Sequence, residues 1–124
     1  KTDLLEIIDC ATKDKLKNLK IEWNNDDCIT IVLCAKGYPG NYIKDSEIKN
    51  LSEIVSDQTN QIFHAGTYEK NEKIFSSGGR VLNITALGKD LIEARNKSLM
   101  KLKKINWDDG FFRKDIGWRA IKKK

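Results

Sequence analysis

The 124-residue sequence is poor in several residue types, and each scarcity excludes a class of protein. It contains one proline and one histidine, and no apolar run approaches the roughly 20 residues that cross a bilayer. We therefore predict no membrane partner, and the charged first three residues do not resemble a signal peptide. A single histidine also argues against catalytic triads and multi-histidine metal sites, so we predict no catalytic residue and no metal ligand.

Only three cysteines are present, and their positions argue against disulfides. Cys28 and Cys34 share one face of a predicted strand, roughly 20 Å apart at ~3.3 Å per residue, too far to pair. Cys10 lies on a predicted helix, and three thiols without histidine neighbours do not form a zinc site. We therefore expect reduced cysteines that act as buried apolar fillers, in a reducing, cytoplasmic location.

The net charge of +5 and the pI near 9.1 raise the question of nucleic-acid binding. The dense basic runs are Lys101, Lys103, Lys104 and residues 122–124, and no aromatic residues are interleaved with them. A solvated, lysine-rich helix face explains these runs, so we predict no nucleic-acid partner. The alternative is a small basic binding module for RNA or an acidic protein partner, whose affinity would fall steeply with salt and would not depend on Arg80.

Composition and periodicity predict one folded domain. Hydrophobic residues make up 40% and charged residues 33% of a length that suits a single core. Helical spacing predicts helices over 3–19, capped by Thr2 or Asp3, and over 89–105. Extended patterns predict strands over 28–35, 48–51, 61–68, 74–75 and 81–88, and the first of these is apolar on both faces and should be covered on both sides. The expected fold class is α+β, a mostly antiparallel sheet of four to five strands with two main helices packed on it.

Two features near the carboxyl end call for a structural explanation. Arg95 falls within the apolar stripe of the second helix, where it either extends to solvent or pairs with a partner below. The aromatic segment 107–119 should pack back onto the domain. Within it, Arg113, Asp115 and Trp118 either dock the tail or form the rim of a site.

The stretch 77–88 carries the candidate binding residues. Gly78 and Gly79 allow a close backbone approach, and Arg80 stands at the mouth of the strand, followed by Asn83 on its polar face. A guanidinium fixed beside a glycine turn suits a phosphate or a carboxylate. We therefore predict that these four residues bind substrate. The alternative is that Arg80 forms a salt bridge that holds the hairpin to the sheet.

Two other features remain open on the residues alone. Residues 37–40 (Gly-Tyr-Pro-Gly) form either a substrate-facing loop or a rigid turn that fixes strand order. His64, the single histidine, is interpreted as a hydrogen-bonded structural residue.

Four motifs resemble one enzyme family. They are Gly-Tyr-Pro-Gly at 37–40, Phe-His-Ala-Gly-Thr at 63–67, Gly-Gly-Arg-Val-Leu-Asn-Ile-Thr-Ala-Leu-Gly at 78–88 and Phe-Phe-Arg-Lys-Asp-Ile-Gly-Trp-Arg-Ala at 111–120. Together they resemble the carboxyl-terminal portion of the phosphoribosylamine–glycine ligase (glycinamide ribonucleotide synthetase) family. The Glu-x-Asn-x-Arg-x-Gly-Asp-Pro-Glu stretch, which supplies magnesium ligands in such ATP-grasp enzymes, does not occur in this sequence.

The resemblance implies an ADP-forming ligase of purine biosynthesis that joins glycine to 5-phosphoribosylamine with ATP and Mg²⁺ (or Mn²⁺). It implies that residues 26–124 form the carboxyl-terminal domain, which closes one side of the active-site cleft and is inactive alone. Residues 1–25 would be a helix and linker carried over from the end of the ATP-grasp module. The partners would be the missing amino-terminal and ATP-grasp portions, and without them the exposed apolar residues Leu4, Leu5, Ile8 and Trp23 would make the fragment dimerise.

Overall fold

A computed structural model of the protein describes residues 1–54 and 56–122. Lys123 and Lys124, which belong to the basic run at 122–124, lie outside these ranges. The helices are α1 (Leu4–Thr12), α2 (Leu91–Leu102) and α3 (Trp118–Ile121), with a 3-10 turn at Leu16–Asn18. The strands are β1 (Asp27–Ala35), β2 (Glu47–Ile48), β3 (Asn60–His64), β4 (Thr67–Lys70), β5 (Lys73–Ser76), β6 (Arg80–Gly88) and β7 (Gly110–Phe111).

The strands form two antiparallel sheets. The first has the order β3-β6-β1-β7 and the second the order β2-β5-β4. The predicted α+β class, with antiparallel strands and two sizeable helices, is confirmed. A single sheet of four to five strands is not what forms, because the predicted strand 61–68 divides at residues 65–66 into β3 and β4, which lie in different sheets.

The division arises where two antiparallel chain segments of unequal length lie opposite each other, a region that we call the crossing. His64 pairs with Leu82 and Thr67 pairs with Ser76, so the two residues 65–66 lie opposite the five residues 77–81. The surplus residues bend the ribbon, and Gly66 lies so close to the opposing segment that a Cβ there would sit 2.6 Å from the Arg80 carbonyl oxygen. A side chain at this position would separate the two strands.

The core lies between the four-stranded sheet and α2. Ile31 of β1 pairs with Ile84 of β6, and both are fully buried. The predicted apolar stripe of the second helix is confirmed, since α2 buries Ala94, Ser98 and Leu102 against this face. A Cβ at Gly88 would lie 3.0 Å from the Ala94 Cα, so the end of β6 closely approaches the helix.

The prediction that β1 is covered on both faces is wrong. Its buried residues alternate with residues that are exposed or half-buried, namely Cys28, Thr30, Val32 and Cys34. The alternation arises because α2 covers one face of the sheet, while on the other face the Thr30 and Thr85 hydroxyls hydrogen-bond to each other at 2.8 Å. We call this second surface, formed by Thr30, Val32, Asn83 and Thr85 with the strand β3 beside them, the open face.

The cysteines are unpaired, as expected, but they are not buried fillers. Cys28 is exposed, and Cys10 and Cys34 are half-buried. Cys28 and Cys34 belong to the side of β1 that α2 does not cover, which is why their burial was overestimated.

Helix α1 is shorter than predicted. Asp3 caps it, as predicted, by accepting a hydrogen bond from the Leu5 amide at 2.7 Å. The helix ends at Thr12 instead of residue 19, because Asp14 adopts a left-handed backbone conformation with φ of 55°. None of its residues is buried, and Leu4, Leu5, Ile8 and the nearby Trp23 are between 51% and 75% exposed.

The aromatic tail packs back onto the domain, as predicted. Trp107 is buried, and Phe112 and Ile116 lie against the core cluster. The Arg95 guanidinium donates a hydrogen bond to the Lys114 carbonyl oxygen, so this arginine pairs with the tail instead of extending freely to solvent.

The burial of Ile84 predicts a large stability loss on truncation. Ile84→Ala should lower the free energy of unfolding by about 2–5 kcal/mol, because it leaves a cavity between β1, β6 and α2. Ile92→Ala is the matched control, since Ile92 is 54% exposed on α2 and its truncation should change that free energy by no more than about 0.5 kcal/mol. Urea denaturation followed by circular dichroism measures both; equal losses would contradict the assigned core.

The turn that leads into β3 predicts an acid-sensitive element. Hydrogen bonds from the Thr59 side chain and amide, together with Asn60, lower the pKa of Asp57 from 3.8 to about 2. A lowered folded-state pKa means that the carboxylate stabilises the fold fully above pH 3.8 and that this contribution is lost as the pH falls through about 2. An NMR titration of the Asp57 carboxyl carbon should give a midpoint near 2. Asp57→Asn should remove this part of the stability slope, and a midpoint near 3.8 would contradict the assignment.

Candidate functional site

A cleft of about 550 Å³ opens where the two sheets diverge, a size typical of small-molecule sites. Three of the predicted binding residues, Gly79, Arg80 and Asn83, line it. The complete lining is Val32, Tyr38, Tyr42, Ala65, Gly66, Gly79, Arg80 and Asn83. The cleft therefore brings together the motifs at 37–40, 63–67 and 78–88, which are far apart in the sequence.

The back of the cleft is formed by the crossing of residues 65–66 with 77–81. The Ser77 and Gly78 amides both donate to the Gly66 carbonyl oxygen, at 2.8 and 3.3 Å. A Cβ at Gly66 would lie 2.8 Å from the Gly78 Cα. Gly78 is thus not part of the cleft lining, and its amide is already hydrogen-bonded to Gly66. Its lack of a side chain allows Gly66 to approach closely.

One side wall is formed by two tyrosines. A Cβ at Gly79 would come within 2.9 Å of the Tyr38 Cε2 atom, so the Tyr38 ring lies directly on the Gly79 backbone. The Tyr42 ring meets Tyr38 edge-on with the centroids 6.4 Å apart, and the Lys44 ammonium lies 5.4 Å from the Tyr42 centroid. The turn at 37–40 thus contributes a residue to the cleft.

Sequence reasoning did not assign either tyrosine to the site. The available signal for Tyr38 is the turn at 37–40, because one of its two interpretations is a substrate-facing loop. Tyr42 carried no signal, because its place depends on how the chain after the turn folds back.

Arg80 is the charged residue of the cleft lining. Its side chain is exposed, and no ion pair or hydrogen bond joins its guanidinium to another residue within 1–54 or 56–122. The alternative role, a salt bridge that holds the hairpin, therefore has no partner within those ranges. Asn83, half-buried, lies between Val32 of β1 and Phe63 of β3.

The lining offers groups that suit anion binding, and the thiol next to it is unreactive. Cys34 pairs in register with Arg80, but burial raises the pKa of its thiol above 9.0, and the opposing effect of the Arg80 charge is smaller. The thiol is therefore protonated at neutral pH and is a poor nucleophile. What the lining offers is one guanidinium, one amide side chain, two phenols and backbone amides, a set suited to an anion.

His64 has a local structural partner. Its Nδ1 atom lies 2.9 Å from the Thr67 Oγ1 atom, across the bend between β3 and β4. This contact supports the interpretation of His64 as a hydrogen-bonded structural residue.

The other three predicted residues, Arg113, Asp115 and Trp118, lie together away from Arg80. The Arg113 guanidinium binds the Asp115 carboxylate through two hydrogen bonds of 2.7 and 3.0 Å, and this pairing lowers the pKa of Asp115 below 3.8. The Trp118 ring has Arg119 and Lys122 about it at 5.4 and 5.2 Å. These residues border a depression of about 290 Å³ that shares no lining residue with the cleft.

Two further properties concern the described residues only. Within 1–54 and 56–122, no three histidine, cysteine or carboxylate side chains come together in a way that could hold a metal ion. Among the helices of those same ranges, none has the length and apolar character needed to cross a membrane.

Comparison with known proteins agrees with the resemblance of the motifs. The profile of the family described as phosphoribosylglycinamide synthetase, C domain, matches residues 28–119. Phosphoribosylamine–glycine ligase of Arabidopsis thaliana, a chloroplastic protein, is 43% identical over 99% of the chain, and that of Brucella melitensis is 41% identical over 98%. The chain spans only 24% and 29% of the lengths of these relatives.

A solved structure is similar as well. The crystal structure of phosphoribosylamine–glycine ligase from Thermotoga maritima superposes with a TM-score of 0.66 at 29% identity, covering 89% of this chain and 27% of that one. Since the family profile covers most of the sequence, including all the residues that line the cleft, the chain belongs to the phosphoribosylglycinamide synthetase C domain family.

Proposed function

We propose that this chain is the carboxyl-terminal domain of an ATP-dependent, ADP-forming ligase that joins glycine to 5-phosphoribosylamine in de novo purine biosynthesis. The observation that carries the proposal is the convergence of three family-like motifs on one cleft whose lining contains a guanidinium without a partner among the described residues. The names of the relatives, each matched over nearly the whole of this chain, support the same activity.

The reaction proceeds in two steps. ATP transfers its terminal phosphoryl group to the glycine carboxylate, which gives glycyl phosphate and ADP. The amine nitrogen of 5-phosphoribosylamine then attacks the acyl carbon, phosphate leaves with the electrons of the carbon–oxygen bond, and the nitrogen loses a proton. Glycyl phosphate is prone to hydrolysis, so a cleft closed on two sides protects it from water.

In this scheme the chain binds and shields, while other parts of the polypeptide carry out the phosphoryl transfer. ATP and Mg²⁺ (or Mn²⁺) are assigned to the ATP-grasp portion, because the described residues hold no carboxylate cluster that suits a divalent cation. In the cleft, Arg80, Gly79 and Asn83 are assigned to substrate. Gly78 is assigned a supporting role, because it allows the close approach of Gly66.

The first 25 residues are assigned to the boundary with the ATP-grasp module. The family profile begins at residue 28, and α1 buries none of its residues against the remainder of the domain. An amphipathic helix without a covering partner is stable only when its apolar face packs elsewhere. We therefore assign Leu4, Leu5, Ile8 and Trp23 to contact with the amino-terminal portions, and residues 26–124 to the domain itself.

The proposed location is the cytoplasm. All three cysteines are free, and Cys28 is exposed, which suits a compartment that keeps thiols reduced.

A domain exchange tests the proposal. The carboxyl-terminal quarter of the Brucella melitensis ligase is replaced by this chain, and ADP release that depends on both glycine and 5-phosphoribosylamine is measured. We expect activity within about tenfold of the parent enzyme, because the two sequences are 41% identical over 98% of this chain. The isolated chain should release no ADP, since the proposal assigns ATP to the ATP-grasp portion of the polypeptide.

The control is the Brucella enzyme rebuilt from its own two pieces at the same junction, which shows that the junction is tolerated. A folded chimera that shows no activity, beside an active control, would contradict the proposal. Substrate-dependent ADP release by the chain alone would contradict the assignment of the chemistry to other portions.

The exposed helix α1 predicts self-association of the isolated chain. Without its covering partner, the chain should dimerise through Leu4, Leu5, Ile8 and Trp23 at concentrations of tens of micromolar, because contiguous exposed apolar surface favours association. Sedimentation equilibrium measures this. Leu5→Lys should shift the chain to monomer, whereas Met100→Lys, at a residue that is 59% exposed on α2, should leave it dimeric. A wild-type chain that is monomeric at 100 micromolar would contradict the assignment.

A further inference from the structure

We infer that the cleft is the subsite for the phosphorylated sugar, not for the amino acid, and that Tyr38 is the residue that makes it selective for a sugar phosphate over free phosphate. The inference rests on the proposed function and specifies which of the two substrates Arg80 contacts.

The charge of the cleft decides between the substrates. Arg80 is the charged residue of the lining, and the lining contains no carboxylate. Glycine carries an ammonium group as well as a carboxylate, so in this cleft its cation would lie beside a guanidinium without a compensating anion. The phosphate of 5-phosphoribosylamine carries about −1.5 to −2 charges at neutral pH and lies at the opposite end of the sugar from the amine, which matches the lining.

Backbone donors add to the match. Gly66 and Gly79 both line the cleft, and no backbone carbonyl in the described ranges accepts a hydrogen bond from either amide. The Gly66 carbonyl, in contrast, is already bonded to the Ser77 and Gly78 amides, so at Gly66 the amide and not the carbonyl is available to a ligand. N–H donors beside a guanidinium suit the oxygens of a phosphate.

Tyr38 provides a contact surface for the sugar, which inorganic phosphate lacks. Its ring is held on Gly79, so it stands at a fixed position next to Arg80, the following residue, and Tyr42 supports it edge-on. An aromatic face packs against the C–H face of a sugar ring while the phenol hydroxyl is free to hydrogen-bond sugar hydroxyls. The volume of about 550 Å³ leaves room for a sugar beside the phosphate.

The first test is an NMR titration of the 124-residue chain with three probes: ribose 5-phosphate, inorganic phosphate and glycine. Ribose 5-phosphate should shift the amide signals of Gly66, Gly79 and Arg80 at the lowest concentration, inorganic phosphate at a higher one, and glycine should leave them unchanged. Arg80→Gln should weaken ribose 5-phosphate binding by roughly tenfold or more, because a charge-assisted pair is lost. Arg119→Gln, at an arginine near Trp118 and outside the cleft, is the matched control.

The role of Tyr38 has its own readout. Tyr38→Ala should bring the affinity for ribose 5-phosphate down to that for inorganic phosphate, while the affinity for inorganic phosphate stays the same. Tyr38→Phe keeps the ring on Gly79 and should preserve part of the preference, which separates the packing of the sugar from a loss of folding. Tyr68→Phe, at a tyrosine that hydrogen-bonds Asp45 outside the cleft, should change neither affinity.

The second test uses the chimeric ligase described above. Arg80→Lys should raise the KM for 5-phosphoribosylamine by roughly tenfold and leave the KM for glycine unchanged, since a point charge replaces a bidentate donor. Glycine shifting the cleft signals as strongly as ribose 5-phosphate would overturn the inference, as would a rise in the KM for glycine alone. Absence of signal shifts combined with unchanged substrate constants would overturn it as well.

The two proposals fail in different ways. An inactive chimera, combined with ribose 5-phosphate binding through Arg80 in the isolated domain, would contradict the proposed ligase activity and support the subsite. An active chimera with unaltered constants in Arg80→Lys would do the reverse.

Discussion

The contact of Gly66 with Gly78 determines the architecture of this domain. Two residues on one side of an antiparallel ribbon face five on the other, and the ribbon can bend there only because both backbones lack a side chain at the closest point. The bend moves β4 and β5 into a second sheet, and the cleft opens in the angle between the sheets. Arg80 lies within the five-residue segment of the bend, so the same contact that divides the sheets positions the guanidinium.

The four-stranded sheet is buried on one face because the helices and the tail that could cover it pack on that face. Helix α2 and the aromatic tail cover one face, and Arg95, through the Lys114 carbonyl, joins them. The open face keeps Thr30 and Thr85 bonded to each other, and Asn83 half-buried beside the cleft. Polar groups in mutual contact satisfy their hydrogen bonds without a covering layer, so this face remains stable while it is accessible to a substrate or to another part of a longer polypeptide.

The sequence allowed prediction of the parts of the fold that depend on local pattern. The α2 stripe, the Asp3 cap and the strand that follows Gly79 all have a periodicity or a capping residue that is readable over a few neighbours. The failures were non-local. A strand as apolar as 28–35 is compatible with one or two covered faces, and the number of helices available decides between them. Similarly, the bend at residues 65–66 depends on the opposing segment 77–81, which no local window includes.

The part of the cleft lining that depends on residue chemistry could be predicted from the sequence. The two tyrosines that complete the lining could not. Gly79, Arg80 and Asn83 of the lining could be named as candidates because a guanidinium beside a glycine turn suits an anion, whereas Tyr38 enters the cleft only through its packing on Gly79. A guanidinium exposed in a concave surface, without an ion pair in the described ranges, costs the fold little and contributes little to it. Its position is set instead by the sheet bend, and a rigid bend is better able than a flexible loop to hold one charge at a fixed distance from an aromatic wall. The fold thus holds one guanidinium and an aromatic wall in a fixed geometry, which is the preorganisation that the proposed substrate site requires.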